Sequence, residues 1–388
     1  MICFTKELCN KTIKRQLIVY GTGAVGEIVS YALKKWGREP DLYCDHDPEK
    51  HSFFQHDVIT AEQLRDHSKA VVIIAFKDFL RTAIEIVKDA GIQEYYSAEL
   101  LVDETVDDVS SLSKGAQEFL VRKYNYREIV HQSEKTDSIT FQHLEWMLTE
   151  RCTLRCRDCS ALVPFFKAPK DHSFERTKMA LDRLLSKTDY VAELSILGGE
   201  PLLYPFLSEA INSFSDNPKI GAVVIYTNGT IIPNSSLIPA LKSRKVWVHI
   251  SDYQEHSPSV PKIEAVLEKE DIRFFVKQYD CWQAAGDPFY REETEEQLTQ
   301  KYSRCFKARC YSLFEDRLYG CARASNGAAA GIMPDEEFLC FSSESSQTSD
   351  RESLKQFLMK PYLESCKYCN GMINGVANVE PAIQVINL

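Results

Sequence analysis

The chain has 388 residues, a length that suits two or three domains, and carries 46 basic against 56 acidic side chains for a net charge of −10. That acidic balance excludes a protein that grips a nucleic-acid backbone and one anchored to a membrane by a polybasic patch. The opening Met-Ile-Cys-Phe-Thr-Lys has no basic-then-apolar signal and no apolar run approaches a membrane span, so a cytoplasmic protein is expected. Its 13 cysteines are many for a reducing compartment, where a disulfide scaffold is not expected at this length. They fall in groups, which points to metal ligation.

In chain order, the apolar run from Arg15 to Tyr20 is followed by Gly21-Thr-Gly23-Ala-Val-Gly26 and a helical stretch from Glu27 to Trp36. A short strand from Pro40 to Cys44 then ends at Asp45, and another apolar run extends from Lys69 to Ala75. Strand, glycine-rich turn, helix, strand and acid is the pattern of a Rossmann-like domain. Gly21, Gly23 and Gly26 would allow a tight turn and close approach of a pyrophosphate to the helix N-terminus, and Asp45 would accept from a ribose. The domain is expected over residues 1–108. Its candidate ligands are a nucleotide, a nucleotide sugar or NAD, and a purely structural role is the alternative. A helical connector over 109–138 follows, with Ser110 to Gly115 as a polar break.

From Thr140 to Gln278 apolar strands alternate with amphipathic helices: strands over 144–149, 193–197, 222–227, 246–251 and 272–278, helices over 175–186 and 205–214. That rhythm predicts parallel βα units over 139–300, closed or partly closed into a barrel, with chemistry on loops at the C-terminal strand ends. A sixth strand is not evident. Just past the first strand, Cys152, Cys156 and Cys159 are spaced C-x3-C-x2-C. Three thiolates so close suit an iron–sulfur cube whose fourth iron is left for a small molecule, whereas structural zinc wants a fourth Cys or His nearby. The second strand runs into Leu197-Gly198-Gly199-Glu200-Pro201, the third ends in Tyr226-Thr227-Asn228-Gly229, and the fourth ends at His249-Ile-Ser251-Asp252.

Cysteine triplet, Gly-Gly-Glu-Pro and Thr-Asn-Gly, in this order and each at a strand end, resemble the radical S-adenosylmethionine (radical SAM) enzymes over roughly residues 140–278. The position before the third cysteine is usually aromatic in that family and is Asp158 here. The resemblance implies an α/β chain with a partial (β/α)6 barrel, Cys152, Cys156 and Cys159 as ligands of a [4Fe–4S] cluster, and SAM chelating the open iron. It implies further that Gly198, Gly199 and Glu200 hold the SAM amino group, that Thr227 and Asn228 stand at the mouth, and that Ser251 lies near the ribose. An electron from a donor such as flavodoxin or ferredoxin would split SAM into methionine and a 5′-deoxyadenosyl radical, which takes a hydrogen atom from substrate.

Over 301–388 the cysteine density rises, with a serine-rich stretch from Ser342 to Ser346. Cys310 to Cys321 reads as a hairpin with Glu315-Asp316 at its turn, and Cys366-Lys-Tyr-Cys369 is a CxxC pair. These four thiolates would close around a second cluster or a zinc ion, with Cys305 able to substitute for Cys310. Following a radical SAM core, the arrangement resembles the small α+β twitch domain, the half-length relative of the SPASM domain, and implies one auxiliary [4Fe–4S] cluster, two clusters in all. Cys281, beside Trp282 and past the fifth strand, is a candidate hydrogen-atom donor to a substrate radical, against a bland role as a small buried hydrophobe. Cys340 reads as core packing, and His143 and His249 as strand residues with no catalytic part.

The expected function is hydrogen abstraction from a carbohydrate or nucleotide-linked sugar, ending in oxidation or epimerisation. Radical modification of a ribosomally made peptide, or maturation of a partner protein, is the alternative within the enzyme class. A non-catalytic iron–sulfur or zinc-binding regulator is the alternative outside it.

Overall fold

The structure is a computed structural model and describes residues 1–47, 50–77, 80–122, 125–308, 310–342, 349–373 and 376–385. Beyond its first residue, the serine-rich stretch lies outside them. The chain divides into two compact units, Met1–Ser138 and Ile139–Leu388. No helix among the described residues is long and apolar enough to cross a membrane.

In the first unit, β1 (Ile2–Cys3), β2 (Leu17–Tyr20), β3 (Leu42–Asp45), β4 (Ser52–Phe53), β5 (His56–Thr60), β6 (Val71–Ile74) and β7 (Glu94–Ser97) form one sheet. Their order is β1-β7-β6-β2-β3-β5-β4, with β4–β5 antiparallel and the other pairs parallel. Strands β2 and β6 are buried at every position, which is why they read as unbroken apolar runs. Helix Ala24–Lys35 buries Val25, Ile28, Val29, Ala32 and Leu33, one stripe at helical spacing. The helices Lys114–Arg122 and Tyr126–Ser133 of the expected connector belong to this unit.

Strand order reverses direction at β2, and the glycine turn sits at that switch point. Gly21 has φ of +119°, and a Cβ there would stand 2.5 Å from the Ala75 carbonyl oxygen. At Gly26 a Cβ would stand 1.9 Å from the Gly21 carbonyl oxygen, whereas Gly23 has nothing within 4 Å and borders a cavity also lined by His46, Lys50, Phe76 and Phe119. Asp45 lines the same cavity. It is buried, and accepts from the Thr22 amide at 2.9 Å, the Thr22 hydroxyl, the Asp47 amide at 3.0 Å and the Lys50 ammonium at 3.2 Å. These bonds pin the glycine turn to the end of β3. Burial alone would raise its carboxyl, but the Thr22 hydroxyl, the Asp47 amide and Lys50 outweigh it and hold the group below the usual range.

In the second unit, β8 (Thr140–Thr149), β9 (Tyr190–Gly198), β10 (Ile220–Thr227), β11 (Val246–Asp252) and β12 (Phe274–Gln278) lie side by side in sequence order and all parallel. After β13 (Trp282–Gln283), β14 (Cys310–Phe314) returns to the far side of β8, parallel to it, with Cys310 opposite His143 and Phe314 opposite Met147. This supplies the sixth parallel strand that the sequence did not reveal, but beside the first strand instead of after the fifth. The turn at Glu315-Asp316 leads into β15 (Arg317–Tyr319), and β16 (Phe338–Cys340) pairs with β15, both antiparallel. The cysteine-rich segment is thus joined to the edge of the parallel sheet. A last short strand, β17 (Asn378–Val379), pairs with β13.

Alternate residues of the parallel strands face opposite sides. Leu144, Trp146, Leu148, Leu194, Ile196, Val223, Ile225, Val248 and Ile250 pack with Leu181, Leu184, Ile211, Phe214, Ile263 and Leu267 of the flanking helices. Trp146 meets Phe214 edge-on at 5.1 Å and donates from its indole nitrogen to Thr177 at 2.7 Å. The intervening residues, among them Glu145, Glu193, Ser195 and His249, point to the other side and are also buried.

Asp45→Ala leaves the buried Thr22 amide and hydroxyl without their acceptor, and should destabilise the first unit by about 2 kcal/mol, read as a lower denaturant midpoint. Because the folded carboxyl is depressed, its contribution is present above the ordinary carboxylate range and lost as pH falls through the folded value. The gap between wild type and variant should therefore close in acid.

Candidate metal centre and active site

The ends of β8 to β11 carry the site. Past Thr149 the chain leaves the sheet and turns through Cys152, Cys156 and Cys159, with the Cys159 amide donating to the Cys156 carbonyl at 3.2 Å. Each sulfur has nitrogen donors aimed at it. Cys152 Sγ accepts from the Leu154 amide at 3.4 Å and Asn228 Nδ2 at 3.5 Å, and Cys156 Sγ from Gln384 Nε2 at 3.4 Å. Backbone amides of Val163 and Ala161 face Cys159. Burial pushes the Cys152 thiol up to about 12 and the Cys156 thiol up to about 11, so thiolates form here when a metal supplies the compensating charge. Three thiols on one loop with amide donors on their sulfurs, and no fourth protein ligand among the described residues, fit a [4Fe–4S] cluster with one open iron.

Glu200 holds this loop against the neighbouring strands. It is fully buried, with Oε1 accepting from the Leu202 amide at 3.0 Å and Oε2 from the Asn228 amide at 2.8 Å and the Thr227 hydroxyl at 3.0 Å. Burial pushes its carboxyl up to about 7, against those three donors. The two glycines before it are required by the protein's own backbone. A Cβ on Gly198 would stand 2.4 Å from the Thr149 oxygen, and one on Gly199 would stand 2.3 Å from the Arg151 oxygen. The close approach expected between these glycines and a ligand is therefore, in the structure, an approach to the first turn of the cysteine loop. Asn228 ties the third strand end to the same loop, donating to Thr153 Oγ1 at 3.0 Å as well as to Cys152.

Ser251 is buried at the end of β11, and two residues on, burial pushes the Tyr253 phenol up, with Tyr279, Cys159 and Cys156 adding to the rise and a hydrogen bond with Ser251 opposing it. Tyr253 meets Tyr279 at 5.5 Å and Trp282 at 5.2 Å, an aromatic group beside the cysteine loop. Sequence reasoning missed Tyr253. Its signal is an aromatic residue directly after the fourth strand end.

The second set of thiols is Cys305, Cys321, Cys366 and Cys369, which line one cavity next to Ser160 of the cysteine loop. Cys305 takes the place expected of Cys310. The Met372 amide donates to Cys305 Sγ at 3.4 Å, just as the Gly371 amide donates to Cys369 Sγ at 3.3 Å, so both sulfurs share one loop. Cys310 is instead the first residue of β14, where pairing with His143 fixes it on the strand, and its Sγ approaches the Phe306 carbonyl at 3.8 Å. Lys301 fastens the CxxC turn by donating to the carbonyls of Cys366 at 2.7 Å and Cys369 at 2.8 Å. Burial pushes the Cys321 and Cys366 thiols up, the latter to about 12.

Arg323 stands between the two thiol sets. It is buried, its guanidinium is felt by Cys159, Cys321 and Cys369, and it donates to the Gly286 carbonyl while Nε has no partner among the described residues. The inner face of the sheet continues this polar interior. Glu193 accepts from Ser195 at 2.6 Å and Tyr226 at 2.7 Å, with His143 Nδ1 3.7 Å away. His249, expected as an incidental strand residue, is buried and stacked on Tyr226 at 4.5 Å. Lys307 Nζ lies 3.1 Å from Glu145 Oε1, which pushes the ammonium up, while the buried Glu145 Oε2 has no partner among the described residues. Cys281 is exposed, with Trp282 turned toward Tyr253 instead. A thiol that returns a hydrogen atom to a carbon radical has to stand in a water-free interior, so the geometry does not support that role for Cys281.

Parallel strands flanked by helices, with three cysteines and an acidic turn at their C-terminal ends, define an α/β protein with an iron–sulfur site. No family model matches the chain. It is similar to the GTP 3′,8-cyclase of Campylobacter jejuni strain RM1221, 31% identical over 90 residues, and to that of C. jejuni serotype O:2, 35% identical over 96 residues. Each match covers 23% of this chain and 28% of the relative, so the chain spans under a third of the length of these curated proteins. Among solved structures, BtrN in complex with AdoMet and 2-DOIA aligns over 60% of this chain and 94% of its own, at 14% identity and a TM-score of 0.40. Native anSMEcpe with bound AdoMet aligns over 48% and 74%, at 15% identity and a TM-score of 0.36. Streptococcus suis SuiB bound to precursor peptide SuiA aligns over 57% and 47%, at 19% identity and a TM-score of 0.29. The cysteine triplet and the Gly-Gly-Glu-Pro turn remain the features by which the chain resembles the radical SAM enzymes.

Cys305→Ser and Cys310→Ser separate the two candidate ligand sets. After anaerobic reconstitution, Cys305→Ser should bind about four fewer irons per chain, one cubane's worth, and Cys310→Ser should match the wild type.

Proposed function

We propose that this chain cleaves SAM reductively and abstracts hydrogen from a polyhydroxylated, carbohydrate-like substrate, with oxidation as the outcome. The observation that carries the substrate class is the buried polar inner face of the sheet. An apolar peptide side chain would leave Glu145 Oε2, and Arg323 Nε on the neighbouring helix, facing hydrocarbon, a costly arrangement, whereas hydroxyl groups can satisfy them. Oxidation is favoured over epimerisation because Cys281 is exposed and offers no hydrogen atom to the interior.

When bound, SAM on a [4Fe–4S] cluster supplies the 5′-deoxyadenosyl radical that abstracts the hydrogen atom, and a second cluster supplies an acceptor for the remaining electron. Cys152, Cys156 and Cys159 would hold the first, and Cys305, Cys321, Cys366 and Cys369 the second. The latter four line one cavity beside the cysteine loop. Glu200 retains acceptor capacity on Oε1 for the SAM amino group, and Tyr253, Tyr279 and Trp282 offer aromatic surface near it. Glu145 is placed to accept a substrate hydroxyl proton on Oε2 while Lys307 fixes Oε1.

Reconstituted protein given dithionite and SAM should release 5′-deoxyadenosine, and Cys152→Ala should not. Absence of cleavage by iron-loaded wild type would sink the enzymatic reading. With substrate, Glu145→Gln should lower turnover by about a hundredfold or more while 5′-deoxyadenosine release persists, and equal turnover would remove Glu145 from the reaction.

SAM affinity should also depend on pH. The Glu200 carboxyl titrates at about 7, so it is protonated below neutrality and becomes a stronger acceptor for the amino group as pH rises. Calorimetric titration of loaded protein between pH 6 and 8 should show tighter binding at the upper end (roughly one unit either side of neutrality) and a flatter profile for Glu200→Gln.

A further inference from the structure

We propose that residues 382–385 form a strap over the cysteine loop, and that Gln384 is a positioning residue whose donation to the Cys156 sulfur sets the reduction potential of the cluster held there. The proposal rests on the radical SAM reading of that loop. The strap is built like an added strand. The Arg157 amide donates to the Ile383 carbonyl and the Val385 amide to the Arg155 carbonyl, both at 2.8 Å, and Cys156 and Gln384 form an antiparallel bridge.

The Gln384 side chain then uses both ends of its amide on the same loop. Oε1 accepts from the Arg155 amide at 2.7 Å, and Nε2 donates to Cys156 Sγ at 3.4 Å and to the Ala382 carbonyl. Ala382 is fully buried and has φ of +55°, a conformation that residues with a Cβ adopt rarely, so the strap is held in place by its surroundings. Cys152 receives its donors from Leu154 and Asn228, but Cys156 takes this one from a residue 228 positions along the chain. No cofactor-independent need for such a contact is evident: a thiol sulfur is a weak acceptor, and an amide aimed at it gains most when the sulfur carries thiolate charge.

Donation to a ligand sulfur disperses negative charge and stabilises the reduced, more negative cluster over the oxidised one. A glutamine suits this because it donates with one end and is anchored by the other. Glutamate at 384 would place a carboxylate against the sulfur.

The test is a redox titration of full-length, anaerobically reconstituted protein followed by EPR, with the cluster of the cysteine triplet recognised by the change its signal undergoes when SAM is added. Gln384→Met, close in length and volume, should keep the iron content and shift the midpoint potential of that cluster to a more negative value. Gln384→Glu should shift it further in the same direction. A Met variant with wild-type iron, midpoint and line shape overturns the proposal. Since a variant that loads iron poorly would be mute, the wild type labelled with glutamine carrying 15N in its side-chain amide provides the second readout. A weak 15N coupling to the reduced cluster is expected, and its absence overturns the proposal without any substitution. A wild type that assembles no cluster on the triplet overturns the parent reading as well, and does so before the strap is in question.

Discussion

The site in the second unit stands on one buried carboxylate: Glu200 accepts from the next turn of its own chain at Leu202 and from Thr227 and Asn228 at the end of the adjacent strand, so that two strand ends are locked in one plane. The preceding glycines press the same turn onto Thr149 and Arg151, where the cysteine loop begins, and Asn228 reaches across to Cys152. Three strand ends are therefore fixed to one another through a residue that has no exposure of its own. A carboxylate in such a place is costly to desolvate, which is why its carboxyl rises to about 7 in spite of three donors. Stability contributed by this group is complete below the ordinary carboxylate range and is lost as pH rises from there to about 7, so it gains from an added hydrogen-bond donor or cation nearby. A turn of this kind holds its ligand-binding geometry before the ligand arrives, which lowers the entropy lost on binding.

The sheet that carries this turn has two unlike faces. One is apolar throughout and packs on helices through Trp146, Ile196, Ile225 and Ile250. The other buries Glu145, Glu193, Ser195 and His249, and at its end Met147 and Leu197 pack against the alanines of helix Ala322–Ala329. Burying charged and polar groups is tolerated where they satisfy one another, as Glu193 does with Ser195 and Tyr226. It leaves a signature where they do not, as at Glu145 Oε2 and Arg323 Nε. Unmet groups on a packed interior mark the places where a substrate or water completes the hydrogen bonding, and both lie in the part of the unit flanked by the two thiol sets.

Much of this was legible in the sequence because it is local. The strands over 144–149, 193–197, 222–227 and 246–251 lie within the observed strands, since one face of each is uniformly apolar, and the cysteine triplet and Gly-Gly-Glu-Pro turn declare themselves by spacing. What was not legible is non-local. The placement of β14 beside β8 depends on a pairing across more than half the unit, and nothing in Cys-Tyr-Ser-Leu-Phe names its partner. The difference between Cys305 and Cys310 is non-local too, since the Cys305 sulfur meets the Met372 amide while Cys310 starts the strand paired with His143. The Gln384 contact is more distant still, and Arg323 was hidden because its neighbours in space, Cys159 and Cys369, are far from it in sequence.

The glycine pattern of the first unit shows how a motif can be satisfied without the ligand it suggests. Gly21 is required by its left-handed backbone and the Ala75 carbonyl, and Gly26 by the Gly21 carbonyl, so any sequence adopting this strand-turn-helix would select them. The acid at the end of β3 is likewise consumed by Thr22, Asp47 and Lys50. Of the four residues in the fingerprint, Gly23 and Asp45 border open space, and open space at two residues does not specify a nucleotide. The same reasoning separates the two units: in the second, the motif residues leave sulfurs and a carboxylate oxygen with capacity to spare, and in the first the capacity is already used. Ligand chemistry is therefore better sought at the cysteine loop, where the protein's own hydrogen bonds stop short of completing the site.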